Sequence, residues 1–436
     1  MITSECVESA EAPPKRVPLP PVVSSLRSLA IRGSIWTIFG YGSSQVLRLI
    51  SNLILSRLLF PEAFGLSALV GILMQGMQMF SDVGIGPNII RSTRGDDQAF
   101  LDTAWTVQAA RGLTLWVCSA LLAGPISRIY EMPELVWLLP AVGATAAIQG
   151  FNSTALFTCN RRLLVGRLMI LEFTVQLTTL AGMVSLALIH RSVWALILGG
   201  LLGSTVRMIL SYRLLPGPRN HLRWESEARR ELFSFGRWIF LSTLITFVSM
   251  QIDRVVLAKL VPMREFGIYT IAVTLAQIPR DVIQRLSDLI VFPAVSRIIH
   301  EPSGFRKVGM ARRYLLLIST PISILLIVWA PWIVRFLYDP RYAAASGILR
   351  LLAIGTWIQT VQVTYGLVVL AAGRPSYISV GFLLRLTIFL TLIVPCFRRF
   401  GMEGMAGVMA ISEVGVLISC MYGAYRVEGA APRQAS

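Results

Sequence analysis

The sequence predicts an all-α membrane fold, with about 12 transmembrane helices in two pseudo-twofold-related six-helix lobes around a central cavity. Three observations lead there. Mean hydropathy is +0.66, with 55% hydrophobic and 14% charged residues, against roughly a quarter charged in a soluble domain. Charges thin out inside apolar runs of roughly 20 residues or more, the length needed to span hydrocarbon, and the alternating strands of a membrane barrel are missing from the pattern. The second half also echoes the first at a fixed offset.

Taken in order, residues 1–32 are acidic and proline-rich before turning basic, and predict a disordered cytoplasmic tail rather than a cleaved signal. The first lobe, 33–215, has apolar runs at 33–57, 63–88, 100–124, 132–157, 163–188 and 192–215. The connection 216–231 follows as a cytoplasmic amphipathic linker. In the longer stretch from Pro216 to Arg237, Leu222, Trp224, Leu232 and Phe235 alternate with arginines and suit a helix lying on the headgroups. The second lobe, 232–425, has runs at 232–257, 265–292, 311–337, 343–371, 376–397 and 402–425, and 426–436 is a second cytoplasmic tail. Loops are too short for a sizeable domain outside the membrane.

Sliding the chain by 202 residues pairs Trp36 with Trp238, Val46 with Val248, Ile50 with Ile252, Leu55 with Leu257 and Leu58 with Leu260. The same offset pairs Phe64 with Phe266, Gly65 with Gly267, Leu73 with Leu275 and Gln75 with Gln277. Six runs separate the copies, so both halves point the same way, related by an axis along the membrane normal.

The net charge of +17 comes from 40 Lys and Arg against 23 Asp and Glu. The basic residues cluster in alternate connections: Lys15, Arg16, Arg27, Arg32, then Arg91, Arg94, then Arg161, Arg162, Arg167, then Arg213 to Arg230, then Arg297 to Arg313. Opposite connections carry fewer. The positive-inside rule therefore puts both termini in the cytoplasm and argues against nucleic acid as the partner of this charge. Cys6, Cys118, Cys159, Cys396 and Cys420 show no metal or redox spacing, and His190, His221 and His300 lack carboxylate partners. No catalytic residue, metal or cofactor is expected. Gly40-Tyr41-Gly42 and Gly84-Ile85-Gly86 do not open a βαβ unit, Asn152-Ser153-Thr154 is a sequon inside a span, and no phosphate-binding loop for ATP exists.

Polar residues inside the spans carry the functional reading. At 100° per residue, Tyr41, Gln45, Arg48, Asn52 and Ser56 share one face, as do Gln75, Gln78 and Asp82 in the next span. Ser242, Thr246, Ser249 and Asp253 line the seventh, and Gln277, Arg280, Asp281, Gln284, Arg285 and Asp288 fill one side of the eighth. Charges at depth normally face protein or water, so these stripes point to one hydrated cavity. Mutual pairing is the plainer account of the acids, because Asp281 and Arg285 lie four apart and Arg285 and Asp288 three apart. Arg48 has no acid within a turn, and Arg111 and Arg207 are equally isolated, with Glu172 and Glu413 as candidate partners or cation ligands. The excess of arginine favours an anionic, phosphate-bearing cargo, since guanidinium forks grip phosphate bidentately. The candidate cavity set is Gln45, Arg48, Asn52, Arg111, Arg207, Arg254, Arg280 and Arg285. Asp82, Asp253, Asp281 and Glu413 are the candidate coupling-ion groups.

The run LILSRLLFPEAFGLSAL with FSDVGIGPNIIR resembles the amino-terminal signature of polysaccharide-export flippases of the Wzx type. FSFGRWIF, IDRVVLAKL and FPAVSRI resemble the start of that family's second half. The resemblance implies the fold of the multidrug and oligosaccharidyl-lipid exporters. It also implies an inner-membrane transporter that is no enzyme, moving polyprenyl-diphosphate-linked oligosaccharide for exopolysaccharide, capsule or lipopolysaccharide O-antigen synthesis. Membrane lipids, a polysaccharide polymerase and export machinery would be its partners. A small-molecule cation-coupled antiporter of the same fold would want a cavity of acids and aromatics, and a membrane polymerase would want a large outer loop.

Overall fold

The computed structural model describes residue 40 and residues 42–162, 164–217, 219–229, 247, 251–287, 291–292, 295 and 304–430. The two predicted tails lie outside the described residues, except for 426–430, which continue the last helix. Residues 33–39 and 41 of the predicted first span also lie outside them, as do, apart from 247, residues 232–250 of the seventh. Every described element is helical. Seven helices are long and apolar enough to cross a membrane, or eight if one bent pair counts as a single span, among the described residues.

Helix α1 covers 42–58. Helix α2, Pro61–Phe80, begins on a proline with Glu62 in its first turn, both suited to a helix start. The short α3, Ile85–Arg91, follows a break at Gly84, whose φ of 65° is left-handed. Helix α4 (Gln98–Tyr130) is capped by the Asp97 carboxylate, which accepts from the Ala99 amide. Then come α5 (Leu135–Gly150), α6 (Ala155–Arg161), α7 (Val165–Ile189) and α8 (Val193–Arg213). After the linker, α9 covers 251–260. It is followed by α10 (Met263–Leu286), α11 (Gly304–Leu337), α12 (Ala345–Ala371) and α13 (Ser376–Ala430). The last is two helices run together at Gly401, whose φ of 58° marks the junction expected between the final two runs.

Two of the predicted spans are broken. The second stops at Ser81 and restarts as α3, and the fourth bends by 60° between α5 and α6. Broken backbone inside a membrane protein needs other hydrogen-bond partners. Gln108 of α4 supplies them at the fourth, its amide reaching the carbonyls of Gln149, Gly150 and Asn152 at 3.0–3.2 Å. The Tyr212 hydroxyl donates to the Phe151 carbonyl at 2.8 Å. The sequon Asn152-Ser153-Thr154 sits in this break, buried. The short halves α3 and α6 pack together, and Arg161 donates to the Ile89 carbonyl at 2.9 Å and to that of Ser92 at the end of α3.

Helices α2–α8 form one group and α10–α13 another, with α2 packed on α10 between them. Helix α1 joins the first through its Ser44 carbonyl, which accepts from Gln176, and α9 joins the second through Asp253, which accepts from Tyr269. The contact is between backbones. A Cβ on Gly65 would overlap the Met263 carbonyl oxygen, and one on Gly267 would overlap that of Pro61. Pro61 and Met263 are repeat mates at the sequence offset of 202, as are Gly65 and Gly267, so the two approaches are reciprocal. Small residues allow such an approach where no water drives helices together.

The linker departs from expectation. Residues 219–225 are not helical and 226–229 form a helical turn, while 218 and 230–237, with Leu232 and Phe235 of the expected amphipathic helix, lie outside the described residues. The amides of His221, Arg223 and Glu225 donate to Asp102, Thr106 and Thr103 of α4 at 3.1, 3.0 and 3.2 Å. Every second amide points at α4, the period of extended chain, and these bonds replace those a helix would make. Leu222 and Trp224, between them, are exposed.

Candidate functional site

Two ends of the helix bundle differ. One carries the turns at 59–60, 131–134, 190–192, 261–262 and 338–344, and it is sealed between the groups. Lys259 meets Glu131 at 2.7 Å and Arg264 meets Glu62 at 3.9 Å. The Tyr130 hydroxyl donates to the Val255 carbonyl at 3.3 Å, the buried Tyr342 hydroxyl to that of Leu59 at 3.4 Å, and Arg341 to that of Arg57 at 3.3 Å. Glu62 and Arg264 are again 202 apart, so the seal is made partly of repeat mates facing each other. The Lys259 ammonium holds the Glu131 carboxyl below its ordinary range, and Arg341 does the same for Asp339. The other end is arginine-rich. There Arg94 bridges Asp97 and Glu225, tying the linker down, while Arg161 and Arg162 share Asp96.

Between the ends a row of cavities runs across both groups. The first, about 150 Å³, brings Gln45, Arg48 and Asn52 of α1 against Arg254 of α9 and Gln277 and Asp281 of α10. A second of about 190 Å³ lies deeper in the second group and shares Arg254 and Gln277 with it. Asp253, Arg280, Gln359, Arg385 and Glu413 line it. A third of about 400 Å³ opens on the other side, sharing Gln45 and Arg48 and adding Glu172, Gln176 and Arg285. Helical spacing explains the shared residues, because Gln45, Arg48 and Asn52 recur at intervals of three and four along one face of α1.

The arginines differ in how they are held. Arg48 is exposed toward the cavity and reaches Gln45 at 3.4 Å. Arg385 and Glu413 form the most buried ion pair among those described, 3.1 Å apart, and Gln359 donates to the same Glu413 oxygen at 2.7 Å. Arg280 lies 3.8 Å from Asp281. Asp253, only 3% exposed, accepts from the Tyr269 hydroxyl at 3.4 Å. Gln251 beside it donates to Gln75 at 2.9 Å, joining α9 to α2.

Nine of the twelve sequence-predicted site residues line this row. Gln45, Arg48, Asn52, Arg254 and Asp281 share the first cavity, Asp253, Arg280 and Glu413 the second, and Arg285 the third. Arg207 does not line these cavities but pairs at 2.5 Å with Glu172, which does. Arg111 and Asp82 are elsewhere, at the break in the second span. There Arg111 caps the end of α2, donating to Ser81 at 2.9 Å and to the Gln78 carbonyl at 2.6 Å, with Asp82 4.0 Å away. Asp82 accepts from the Gly84 amide at 2.9 Å and shapes the turn. Asp288, on the predicted eighth-span stripe, lies outside the described residues, as do Tyr41, Ser242, Thr246 and Ser249.

Arg385, Gln359 and Tyr269 are cavity residues that the stripe pattern did not find. Arg385 stands alone between leucines in an apolar run. The signal that would have found it is the cost of a lone intramembrane charge, which by itself marks a functional candidate.

The sequence also matches known proteins. The family described as "Polysaccharide biosynthesis protein" matches residues 54–346. The chain is 22% identical over 334 residues to the succinoglycan biosynthesis transport protein ExoT of Rhizobium meliloti, covering 74% of this chain and 66% of that one. It is 22% identical over 300 residues to the teichuronic acid biosynthesis protein TuaB of Bacillus subtilis, covering 68% and 62%. With the lipopolysaccharide biosynthesis protein WzxC of Escherichia coli it shares 23% over 362 residues, 80% and 71% of the two chains. The chain thus spans less than two thirds of the length of ExoT and TuaB. Among solved structures, the inward-facing form of a MATE-family multidrug transporter superposes with a TM-score of 0.68 at 15% identity, over 90% of this chain and 96% of that one. The lipid II flippase MurJ in its inward closed conformation gives 0.68 at 13%, over 92% and 90%. At such identities the likeness is one of fold. The helices and the family match together make this a multi-pass membrane protein, and the chain belongs to the polysaccharide biosynthesis protein family.

Proposed function

We propose that this chain flips polyprenyl-diphosphate-linked oligosaccharide across the bacterial inner membrane by alternating access, for exopolysaccharide, capsule or O-antigen synthesis. The observation that carries the reading is the row of arginine-lined cavities between two helix groups that are sealed at one end. The proposed arrangement is about twelve spans in two six-helix lobes. The reciprocal approach of Gly65 to the Met263 carbonyl and of Gly267 to the Pro61 carbonyl supports a pseudo-twofold axis through the seam. The arginine-rich end is assigned to the cytoplasm, and with it both termini. The sealed end then faces outward.

In this scheme Arg48 and Arg254 hold the diphosphate, since both face the cavity shared by the two groups and guanidinium forks match phosphate oxygens. Arg280, Arg285 and Arg385 extend the positive field on either side. Gln45, Asn52 and Gln277 offer hydrogen bonds to sugars in a wet interior. Arg111 and Arg207 support the first lobe through the break and through Glu172. The lipid tail stays in the bilayer while the lobes rock about the seam. No bond is made or broken, so the protein works as a transporter and not as an enzyme. Asp253 and Glu413, 3% and 2% exposed, are the proposed coupling groups; Asp281 is neighbour to Arg280, and Asp82 serves a turn. Membrane lipids, the polymerase that consumes the flipped unit and export machinery are the proposed partners.

The test is export in a deletion strain. Surface polysaccharide should be lost and the lipid-linked intermediate should accumulate on the inner leaflet. Arg48→Ala or Arg254→Ala should reproduce that defect with the protein still inserted and folded. Normal surface polysaccharide in the deletion strain would sink the proposal.

A further inference from the structure

Away from the row of arginines, the sealed end of the first helix group holds a bowl of about 570 Å³. That lies within the roughly 300–1,000 Å³ typical of small-molecule sites. The turns α1–α2, α4–α5 and α7–α8 converge on it, bringing together Phe60, Glu62, Glu134, Trp137, Arg191 and Trp194. Trp137 and Trp194 stand in the first turns of α5 and α8 and are 72% and 39% exposed. Nothing in the flipping scheme uses them.

We infer that this bowl is a carbohydrate-binding subsite, taking sugar rings of the exported oligosaccharide at the outer face. The choice of sugar over membrane rests on charge and ring type. A pyranose offers an apolar C–H face, which an indole covers, and a rim of hydroxyls, which donate to carboxylates and accept from a guanidinium. Two indoles, two carboxylates and one guanidinium in a single concavity supply that set. A phosphate headgroup would meet Glu62 and Glu134 against Arg191 alone, so the bowl's charge disfavours it. Interfacial aromatics that merely anchor a helix need no paired carboxylates beside them.

The bowl also touches the seal. Glu62 is the residue facing Arg264 across the seam, and the Phe60 ring lies 5.0 Å beneath the Arg341 guanidinium. A sugar hydroxyl that engages Glu62 draws it from Arg264, so occupancy of the bowl loosens the contacts holding this end shut. The subsite thereby receives the glycan as it emerges and favours the open form while it is there. The identity of the glycan as transported cargo rests on the flippase reading; the sugar chemistry of the bowl does not.

Saturation-transfer NMR on the purified full chain tests it. The probe is the oligosaccharide released by mild acid from the producing cell's lipid-linked intermediate and stripped of phosphate. Transfer to sugar protons is expected for the wild type, falling about ten-fold in Trp137→Ala and Trp194→Ala, the loss an aromatic contact of this kind confers. Glu134→Gln, at an exposed position, should weaken it too, and Trp329→Ala on the lipid face of α11 should not. No transfer in the wild type, or equal transfer in the double Trp137→Ala/Trp194→Ala variant, overturns the inference. So does transfer that vanishes in nanodiscs of anionic lipid, because headgroups then own the bowl. Sugar binding in a protein whose deletion leaves surface polysaccharide unchanged would refute the flippase reading and leave the subsite standing. Normal export without sugar binding would do the reverse.

Discussion

Arg385 and Glu413 show what a single intramembrane charge means once its surroundings are known. Their side chains are 11% and 3% exposed and 3.1 Å apart. Removing one partner of a buried pair leaves the other uncompensated at a cost of about 3–5 kcal/mol, whereas neutralising both together is often nearly free. Arg385→Met should therefore lower the thermal midpoint in detergent markedly. Arg385→Met/Glu413→Gln should recover most of that loss, because the carbonyl of the new amide would still accept from Gln359. If Glu413 couples translocation to an ion, the double variant is stable yet fails to restore polysaccharide export. A double variant that exports normally would reduce the pair to structural glue. Sequence alone showed the charge of Glu413 but not its partner, since Arg385 lies a whole span earlier and only the fold brings the two together. Arg111 is the opposite lesson. Isolated in sequence as Arg48 is, it donates to the Gln78 carbonyl and the Ser81 hydroxyl at the end of α2.

At the scale of elements, apolar length marked the seven described helices long enough to cross a membrane, and the offset of 202 paired Gly65 with Gly267 in sequence. The breaks at Ser81–Gly84 and 151–154 were not legible, because their hydrogen bonds come from Arg111, Gln108, Tyr212 and Asn220 on other parts of the chain. Hydropathy sees only length there. The extended linker was hidden for the same reason, its partners being Asp102, Thr103 and Thr106 of α4. The glycine seam makes a direct test possible. An added methyl at Gly65 runs into the backbone oxygen of Met263, and backbone cannot yield as a flexible side chain does. Overpacking of this kind costs about 1–3 kcal/mol. Gly65→Ala or Gly267→Ala should thus push α2 from α10 and disfavour the sealed arrangement. With Ala63→Cys, 7% exposed in the sealed form, labelling by a membrane-impermeant maleimide should rise about ten-fold in either background. Unchanged labelling in a folded variant would show that the seam tolerates separation without opening.

For the molecule as a whole, the seal is a set of small contacts between two large bodies, so its balance should respond to pH. Lys259, across the seam, lowers the pKa of Glu131 from its ordinary value of 4.5, whereas Asp339 is lowered chiefly by Arg341 of its own turn and keeps that shift whichever way the seam stands. A carboxyl whose pKa is depressed in one arrangement stabilises it fully above the ordinary value, and that contribution is lost as the pH falls through the depressed one. The sealed form should therefore be indifferent to pH between about 8 and 5, and weaken below about 4.5. Glu131 is largely exposed, as Glu62 and Arg264 are in part, so salt should screen these pairs and each contributes little alone. On the proposed alternating-access scheme, their sum biases the sealed end toward closure. Spin labels at Pro133→Cys and Ala344→Cys, exposed positions on opposite sides of the seam, would report the separation. The expected result is one short distance at neutral pH, a growing longer population in acid, and the longer population already present at neutral pH in Lys259→Ala. A distance distribution that ignores both acid and Lys259→Ala would place the closing force in the Gly65–Gly267 backbone contact and the buried Tyr342 instead. In that case the ion pairs serve to align the two bodies as they meet.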